Sequence, residues 1–244
     1  MKNIKLTISF DGANFHGFQR QVDKRTVQEE LEKAIYKVTK EKVNIIPCGR
    51  TDAGVHAYKH IVNFRIETSL PGQAFKYKLR KYIADDIKII EAEEVDYDFH
   101  ARFDAKNKTY RYVISREDYP FYRNYKTYVK YDLDINKIKE AAKKLEGLHD
   151  FRAFMKWSDY KKEEVNSVRS IDKIVIVENL DDIYFEFTGQ SFLHNQIRIM
   201  SGLLIDIGRG FRDISYIDEI FEGKVTRAAK TYGPQGLYLM DVSY

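Results

Sequence analysis

Lys5-Leu6-Thr7-Ile8-Ser9-Phe10 alternates polar and apolar side chains, the period of a strand with one face buried. The next regular stretch opens on Thr26-Val27-Gln28-Glu29, a capping box, and its Val27, Leu31, Ala34, Ile35 and Val38 share one helical stripe. Strands are expected near 43–48 and 60–67, then a basic helix near 73–82 introduced by Pro71-Gly72, then a strand from Ile87 to Val95. The second half repeats these kinds of element. Lys108 to Ser115 reads as a strand, and Ile135, Ile138, Ala141, Ala142 and Leu145 mark a helix that Gly147 ends. Strands near 168–178 and 182–188 are joined by the turn-like Asn179-Leu180-Asp181-Asp182. A long helix is predicted from Phe192 to Ile207, stopping at Gly208, a shorter one near 213–222, and a last strand from Gly236 to Ser243. No short repeat and no low-complexity linker interrupts the chain. The pattern is α+β, in two sheet-plus-helix halves expected to join their sheets: 1–104 and 105–244.

Composition narrows the classes. The 244 residues are 43% hydrophobic and 32% charged, which describes a soluble globular protein with ample core rather than a disordered one. There is no apolar run of membrane-spanning length, and Met1-Lys2-Asn3 leads directly into a strand, so neither a membrane span nor a signal peptide is expected. A single cysteine, Cys48, excludes an internal disulfide and a multi-cysteine zinc site. The expected location is cytoplasmic. The net charge of +4 is unevenly spread: Lys76-Tyr77-Lys78-Leu79-Arg80-Lys81-Tyr82, Lys106-Asn107-Lys108-Thr109-Tyr110-Arg111-Tyr112 and Arg123 to Lys130 interleave bases with aromatics. Rings that stack on bases beside charges that hold phosphates suit nucleic acid. Solvated strand faces with tyrosines packed inward would produce the same alternation.

The candidate chemistry centres on Cys48-Gly49-Arg50-Thr51-Asp52-Ala53-Gly54-Val55-His56-Ala57. It sets one carboxylate, Asp52, between two glycines, in a tight loop between strands, where chemistry is often placed. An Asx-turn, or a pair with Arg50, is the structural alternative. His56 and His60 lack a carboxylate at ligand spacing, so no metal is expected. Gly208-Arg209-Gly210 follows a helix, the wrong context for a phosphate loop, and Cys48 ends an apolar strand, too buried for a nucleophile. What remains is Asp52 acting without cofactor or metal, as nucleophile or general base, if a cation keeps it ionised. Arg198 stands inside the apolar run Phe192 to Met200, where it needs either a carboxylate partner or a route for its head to reach water.

Ordered blocks along the whole chain resemble the TruA-type tRNA pseudouridine synthases. They are Ser9 to Gln21, Gly49 to Ala57, Ala101 to Ala105 with Lys108 to Tyr112, His149-Asp150-Phe151, Val168 to Ile171, Phe192-Leu193 with Ile197-Arg198, and Gly236 to Leu239. The resemblance implies two RRM/ferredoxin-like halves, joined into an extended, mainly antiparallel sheet with a central cleft. It implies isomerisation of uridine to pseudouridine in the tRNA anticodon arm, at tRNA positions 38, 39 and 40, by a homodimer and without cofactor or metal. By motif position Asp52 would be the catalytic aspartate, as nucleophile or as base at C2′. Tyr110 would stack on the target base, Arg198 would hold Asp52 ionised, Arg50 would fill the space left by the flipped nucleotide, and Leu237 would border the uracil. Arg20, Lys78 and Arg80 are expected on the RNA backbone. His56 and Thr51 read as loop-shaping residues. The chain departs from the family pattern at Phe18, where Trp is usual, at Tyr232-Gly233 in place of Ala-Pro, and at Gln196 in place of Met. These departures leave room for a paralogue acting on another RNA such as ribosomal RNA, and a non-catalytic RNA-binding or RNA-folding module is the reading from a different class.

Overall fold

Alternation in the first strand, β1 (Lys2–Phe10), puts Ile4, Leu6 and Ile8 fully out of solvent. Each such side chain contributes roughly 1.5–3 kcal/mol of burial. The structure, a computed structural model, describes residues 1–160 and 165–244. It is a mixed α+β protein built on mostly antiparallel sheet, and it divides into two units. One is Met1–Lys106 with Tyr238–Tyr244, the other Asn107–Leu237.

In the first unit the chain runs through α1 (Val27–Thr39), β2 (Ile46–Pro47), β3 (His56–Ile66), α2 (Ala74–Leu79) and β4 (Ile87–Val95). β1 lies between β4 and β3, antiparallel to both. Thr26 caps α1, its hydroxyl accepting from the Glu29 amide at 3.4 Å. The Glu29 carboxylate turns instead to Lys33, 2.8 Å away, so only one arm of the capping box is closed. The strand expected over 43–48 shrinks to Ile46–Pro47. Before it, the Ile45 amide is taken by the Glu32 carboxylate of α1 at 3.2 Å, so that backbone donor never joins a ladder.

The second unit holds β5 (Asn107–Ser115), β6 (Thr127–Tyr128), α3 (Ile135–Leu145), β7 (Gly147–Asp150), α4 (Trp157–Tyr160), β8 (Val168–Ile171), β9 (Lys173–Glu178), β10 (Asp182–Gly189), α5 (Gln196–Gly208) and α6 (Tyr216–Phe221). β10 pairs antiparallel with β5 and with β9. The strand expected over 168–178 is two strands: β8 pairs with β7 in a separate ribbon, while β9 joins β10. The break falls at Asp172, whose amide bonds the Thr188 carbonyl at 2.8 Å. The long helix starts four residues later than its apolar run suggests. Asn195 adopts a left-handed φ of 66°, and the Gln196 side chain reaches back to the Leu193 amide at 2.7 Å. A final strand, β11 (Leu237–Ser243), returns to the first unit and pairs parallel with β3 through Tyr238 and Leu239. Among the described residues, no helix is long and apolar enough to cross a membrane.

Candidate active site

Asp52 sits in the loop between β2 and β3, half-buried, in a turn closed by the Val55 amide on the Asp52 carbonyl at 3.2 Å. Gly54 supplies the positive φ, 78°, that the turn requires. The loop is shaped mainly by another backbone segment, residues 11–18. The Phe18 amide bonds the Thr51 carbonyl at 3.1 Å, and the Gly54 amide bonds the Phe15 carbonyl at 3.2 Å. Two glycines permit this approach. A Cβ on Gly17, which has φ +91°, would lie 2.7 Å from the Thr51 oxygen, and one on Gly12 would overlap the Val55 carbonyl outright. Thus main-chain contacts with residues 11–18 hold the turn that carries Asp52.

The neighbouring histidines complete that frame. His56 is 2% exposed; its Nδ1 accepts from the Gly12 amide at 3.0 Å, and its ring stacks on Tyr238 at 4.7 Å. His60, fully buried, meets the Gly49 carbonyl through Nε2 at 3.0 Å and stacks on Phe18 at 4.5 Å and 7°. Both histidines are therefore packed into the loop's support. Arg50 is exposed and makes no ion pair with Asp52, which removes that structural alternative for the carboxylate. Cys48 is fully buried.

The remaining basic candidates of this unit are Arg20, Lys78 and Arg80. Arg20 is tied to α1 by Glu32 Oε2 at 3.0 Å and by its amide on Gln28 Oε1. Lys78 and Arg80, with Lys76 and Tyr77, project from α2 into solvent, and these three cations form no ion pair among the described residues. Among the described residues, no group of three or more His, Cys, Asp or Glu side chains is arranged to hold a metal.

In the second unit, Tyr110 and Tyr112 point to the same face of β5, two residues apart. Tyr110 is 9% exposed and meets Phe192 edge-on at 5.4 Å. A base stacking on Tyr110 must therefore move what covers the ring; Phe192, half-buried on the irregular stretch before α5, is the neighbour in edge contact. Tyr112 is fully buried, and burial pushes its phenol pKa well up, so it stays protonated. Its hydroxyl contacts Thr127 Oγ1 at 2.7 Å and donates to the Gly233 carbonyl at 2.9 Å. That bond pins the segment whose preceding carbonyl, Tyr232, accepts from Arg198 Nε at 2.7 Å. Arg198 Nη1 also donates to Asn195 Oδ1 at 3.0 Å. The Tyr232 carbonyl and the Asn195 side chain thus help to aim the guanidinium of this half-buried arginine. Leu237, 6% exposed, follows the 3-10 turn Pro234–Gly236 that the Tyr112 anchor holds.

Tyr112, Gly12, Gly17 and the Tyr232 carbonyl are site-building groups that sequence reasoning did not single out. For the glycines the signal was present, as paired Gly around an aromatic run. For Tyr112 only the two-residue offset from Tyr110 pointed to it. Chemically, the first unit presents a half-buried carboxylate on a stiff turn. The second presents an aromatic face and an oriented guanidinium.

A family model described as tRNA pseudouridine synthase matches residues 6–104 and 141–244. The chain is 42% identical over 247 residues to a protein of Finegoldia magna named tRNA pseudouridine synthase A, with 100% of both chains covered. It is 42% identical over 248 residues to tRNA pseudouridine synthase A 2 of Clostridium tetani, covering 100% of this chain and 99% of that one. Among solved structures, an archaeal box H/ACA sRNP Nop10-Cbf5 complex overlaps 95% of this chain and 58% of that one, at 12% identity and a TM-score of 0.35.

Proposed function

Because the chain belongs to the tRNA pseudouridine synthase family, we propose that it isomerises uridines of tRNA to pseudouridine and that Asp52 is the essential carboxylate. The observation that carries the assignment of Asp52 is its setting: a half-buried carboxylate on a tight turn held by backbone bonds from residues 11–18. In the reaction the C1′–N1 bond breaks, the uracil turns, and C5 bonds to C1′. The proton lost from C5 balances the one gained at N1, so nothing is oxidised or reduced. Attack by the carboxylate and removal of the C2′ proton both require Asp52 to be ionised. Arg198 is the cation assigned to that task, and Leu237 borders the uracil.

A uridine in a stem must leave its stack first, at a cost of roughly a few kcal/mol. Stacking on Tyr110 offsets about 1–3 kcal/mol of that. Arg50, exposed and unpaired among the described residues, is free to take the place the base vacates. Arg20, Lys78 and Arg80 serve the phosphates. We place the target uridines in the anticodon arm, at tRNA positions 38, 39 and 40, and assign the working form as a homodimer in the cytoplasm.

Asp52→Asn tests the chemistry. It should bind tRNA within a few-fold of the parent and lose about 10²–10⁴-fold or more in single-turnover pseudouridine formation. A rate within tenfold of the parent would remove Asp52 from this role. Mapping pseudouridines in total RNA from cells with and without the protein tests the target. Losses confined to ribosomal RNA would overturn the anticodon-arm assignment while leaving the chemistry standing.

A further inference from the structure

At the end of α5, aromatic rings alternate with guanidinium groups. Arg209 Cζ lies 4.8 Å from the centre of the Tyr131 ring and 4.5 Å from that of Phe211. Arg212 Cζ lies 5.1 Å from Phe211 and 4.3 Å from Tyr216. Lys130 Nζ extends the row, 5.2 Å from Tyr131. The backbone beneath is locked: the Phe211 and Arg212 amides both donate to the Asp206 carbonyl, at 2.9 and 3.2 Å, and Gly210 to Ile207 at 3.0 Å. The Asp206 carboxylate holds Arg209 at 2.8 Å, fixing its plane between the two rings.

Two features set this row apart from a helix terminus that merely packs on itself. Phe211 is 59% exposed and Tyr131 43% exposed, so flat apolar surface stays in water where a core would hide it. Lys130 and Arg212 form no ion pair among the described residues, so their charge is available to a polyanion. Beside Tyr131 opens a groove of about 230 Å³, where Arg116, Tyr128, Lys130 and the single carboxylate Asp132 share the lining with four aliphatic side chains. That is below the roughly 300–1,000 Å³ of small-molecule sites, and the lining includes the exposed rings of Tyr128 and Tyr131 and the cations of Arg116 and Lys130.

Bases stack on aromatic rings and on guanidinium planes alike, while phosphates take the neighbouring charges. We propose that this row is a second RNA contact, one that holds an unpaired nucleotide of the substrate tRNA other than the uridine that reacts. The proposal rests on the reading of the protein as a tRNA-modifying enzyme. The row supplies stacking without base-specific donors, so it selects for an unstacked nucleotide at the right place rather than for a sequence.

The test uses the full chain with a tRNA transcript. Phe211→Ala should weaken binding by about tenfold or more. Arg212→Glu should weaken it and lower the slope of log affinity against log salt by about one. Both sites are exposed, and melting temperatures are compared alongside to separate binding from folding. Independently of any variant, ultraviolet cross-linking of the unaltered protein to the transcript should place adducts on the peptides carrying Tyr131 and Phe211. Parental affinity and slope in both variants, or cross-links only at other peptides, would overturn the proposal. Pseudouridine formation by the unaltered protein on the same transcript is scored separately: its absence would count against the tRNA reading, whatever the row does.

Discussion

Gly17→Ala should move the Asp52 turn without touching Asp52. Gly17 has φ +91°, and its added Cβ would stand 2.7 Å from the Thr51 oxygen, 3.2 Å from the Ala53 nitrogen and 3.3 Å from the Asp52 carbonyl carbon. The left-handed conformation costs an alanine about 1–2 kcal/mol. The overlap is with backbone, so it cannot be relieved by a rotamer, and ordinary contact requires the Thr51 carbonyl to retreat by about 0.7 Å. Overpacking of this kind costs about 1–3 kcal/mol, and a total near 3 kcal/mol should lower the melting temperature by roughly 6–12 °C in a chain of this size. Displacements approaching 1 Å cost reaction rates up to about 10²-fold, so single-turnover pseudouridine formation at saturating tRNA should fall about 10–100-fold. Gly223→Ala is the matched control, because its φ is +77° but no atom lies within 4 Å of the added Cβ. It carries the conformational cost alone, about 1–2 kcal/mol, and should leave the rate unchanged. If Gly17→Ala melts no lower than Gly223→Ala and reacts within twofold of the parent, the turn is not set by main-chain apposition.

Other perturbations probe the remaining supports. Gly202 lies in α5, where alanine ordinarily stabilises by about 0.5–1 kcal/mol; here its Cβ would overlap the Lys230 carbonyl and crowd Tyr232. Gly202→Ala should therefore lower the melting temperature, and a rise would show that the 230–232 segment yields freely. Reversing Lys78 and Arg80 together should weaken tRNA binding and reduce its salt slope by about two; an unchanged slope would put α2 outside the RNA contact. Lys126 is bonded to both oxygens of Asp182, at 2.9 and 2.7 Å; burial lowers its pKa, but the Asp182 bond and charge more than offset this, and the net shift is upward. A raised folded pKa gives stability that is full below the unfolded value of about 10.4 and is lost as pH rises through the folded one. Lys126→Met should thus melt lower than the parent at pH 7 and lose less on going above about pH 10.4; an equal alkaline loss in both proteins would refute the linkage.

Periodicity located elements well where one face meets a core. Ile87–Val95 and Ile135–Leu145 begin and end where their apolar patterns do. It failed where a side chain, rather than the ladder, decides the backbone's partner. Glu32 takes the Ile45 amide and cuts the strand before β3 short, and Gln196 takes the Leu193 amide and delays α5. Neither bond leaves a trace in an apolar pattern, because Ile45 and Leu193 are buried either way. The division of 168–178 was hidden for a related reason: a continuous β-prone run does not say that its halves belong to different sheets. At the candidate site, the glycines around Asp52 made a tight turn legible. That residues 11–18 form its other wall was not, since the contact joins two main chains and depends on no side-chain pattern.

The same distinction explains how the chain accommodates its departures from the family pattern. Tyr232 serves Arg198 through its carbonyl, which any residue in that backbone conformation would offer. Phe18 stacks on His60 with one aromatic face, as a larger ring could. Gln196 adds a bond to the Leu193 amide, while Asn195 still takes Arg198 Nη1. In the first of these cases backbone geometry, not side-chain identity, sets the contact; in the other two a side chain makes it. If the α2 bases and the row from Lys130 to Arg212 meet RNA as proposed, discrimination between RNAs falls to them. A relative with a different RNA target should differ at those positions while keeping Gly12, Gly17 and the turn around Asp52.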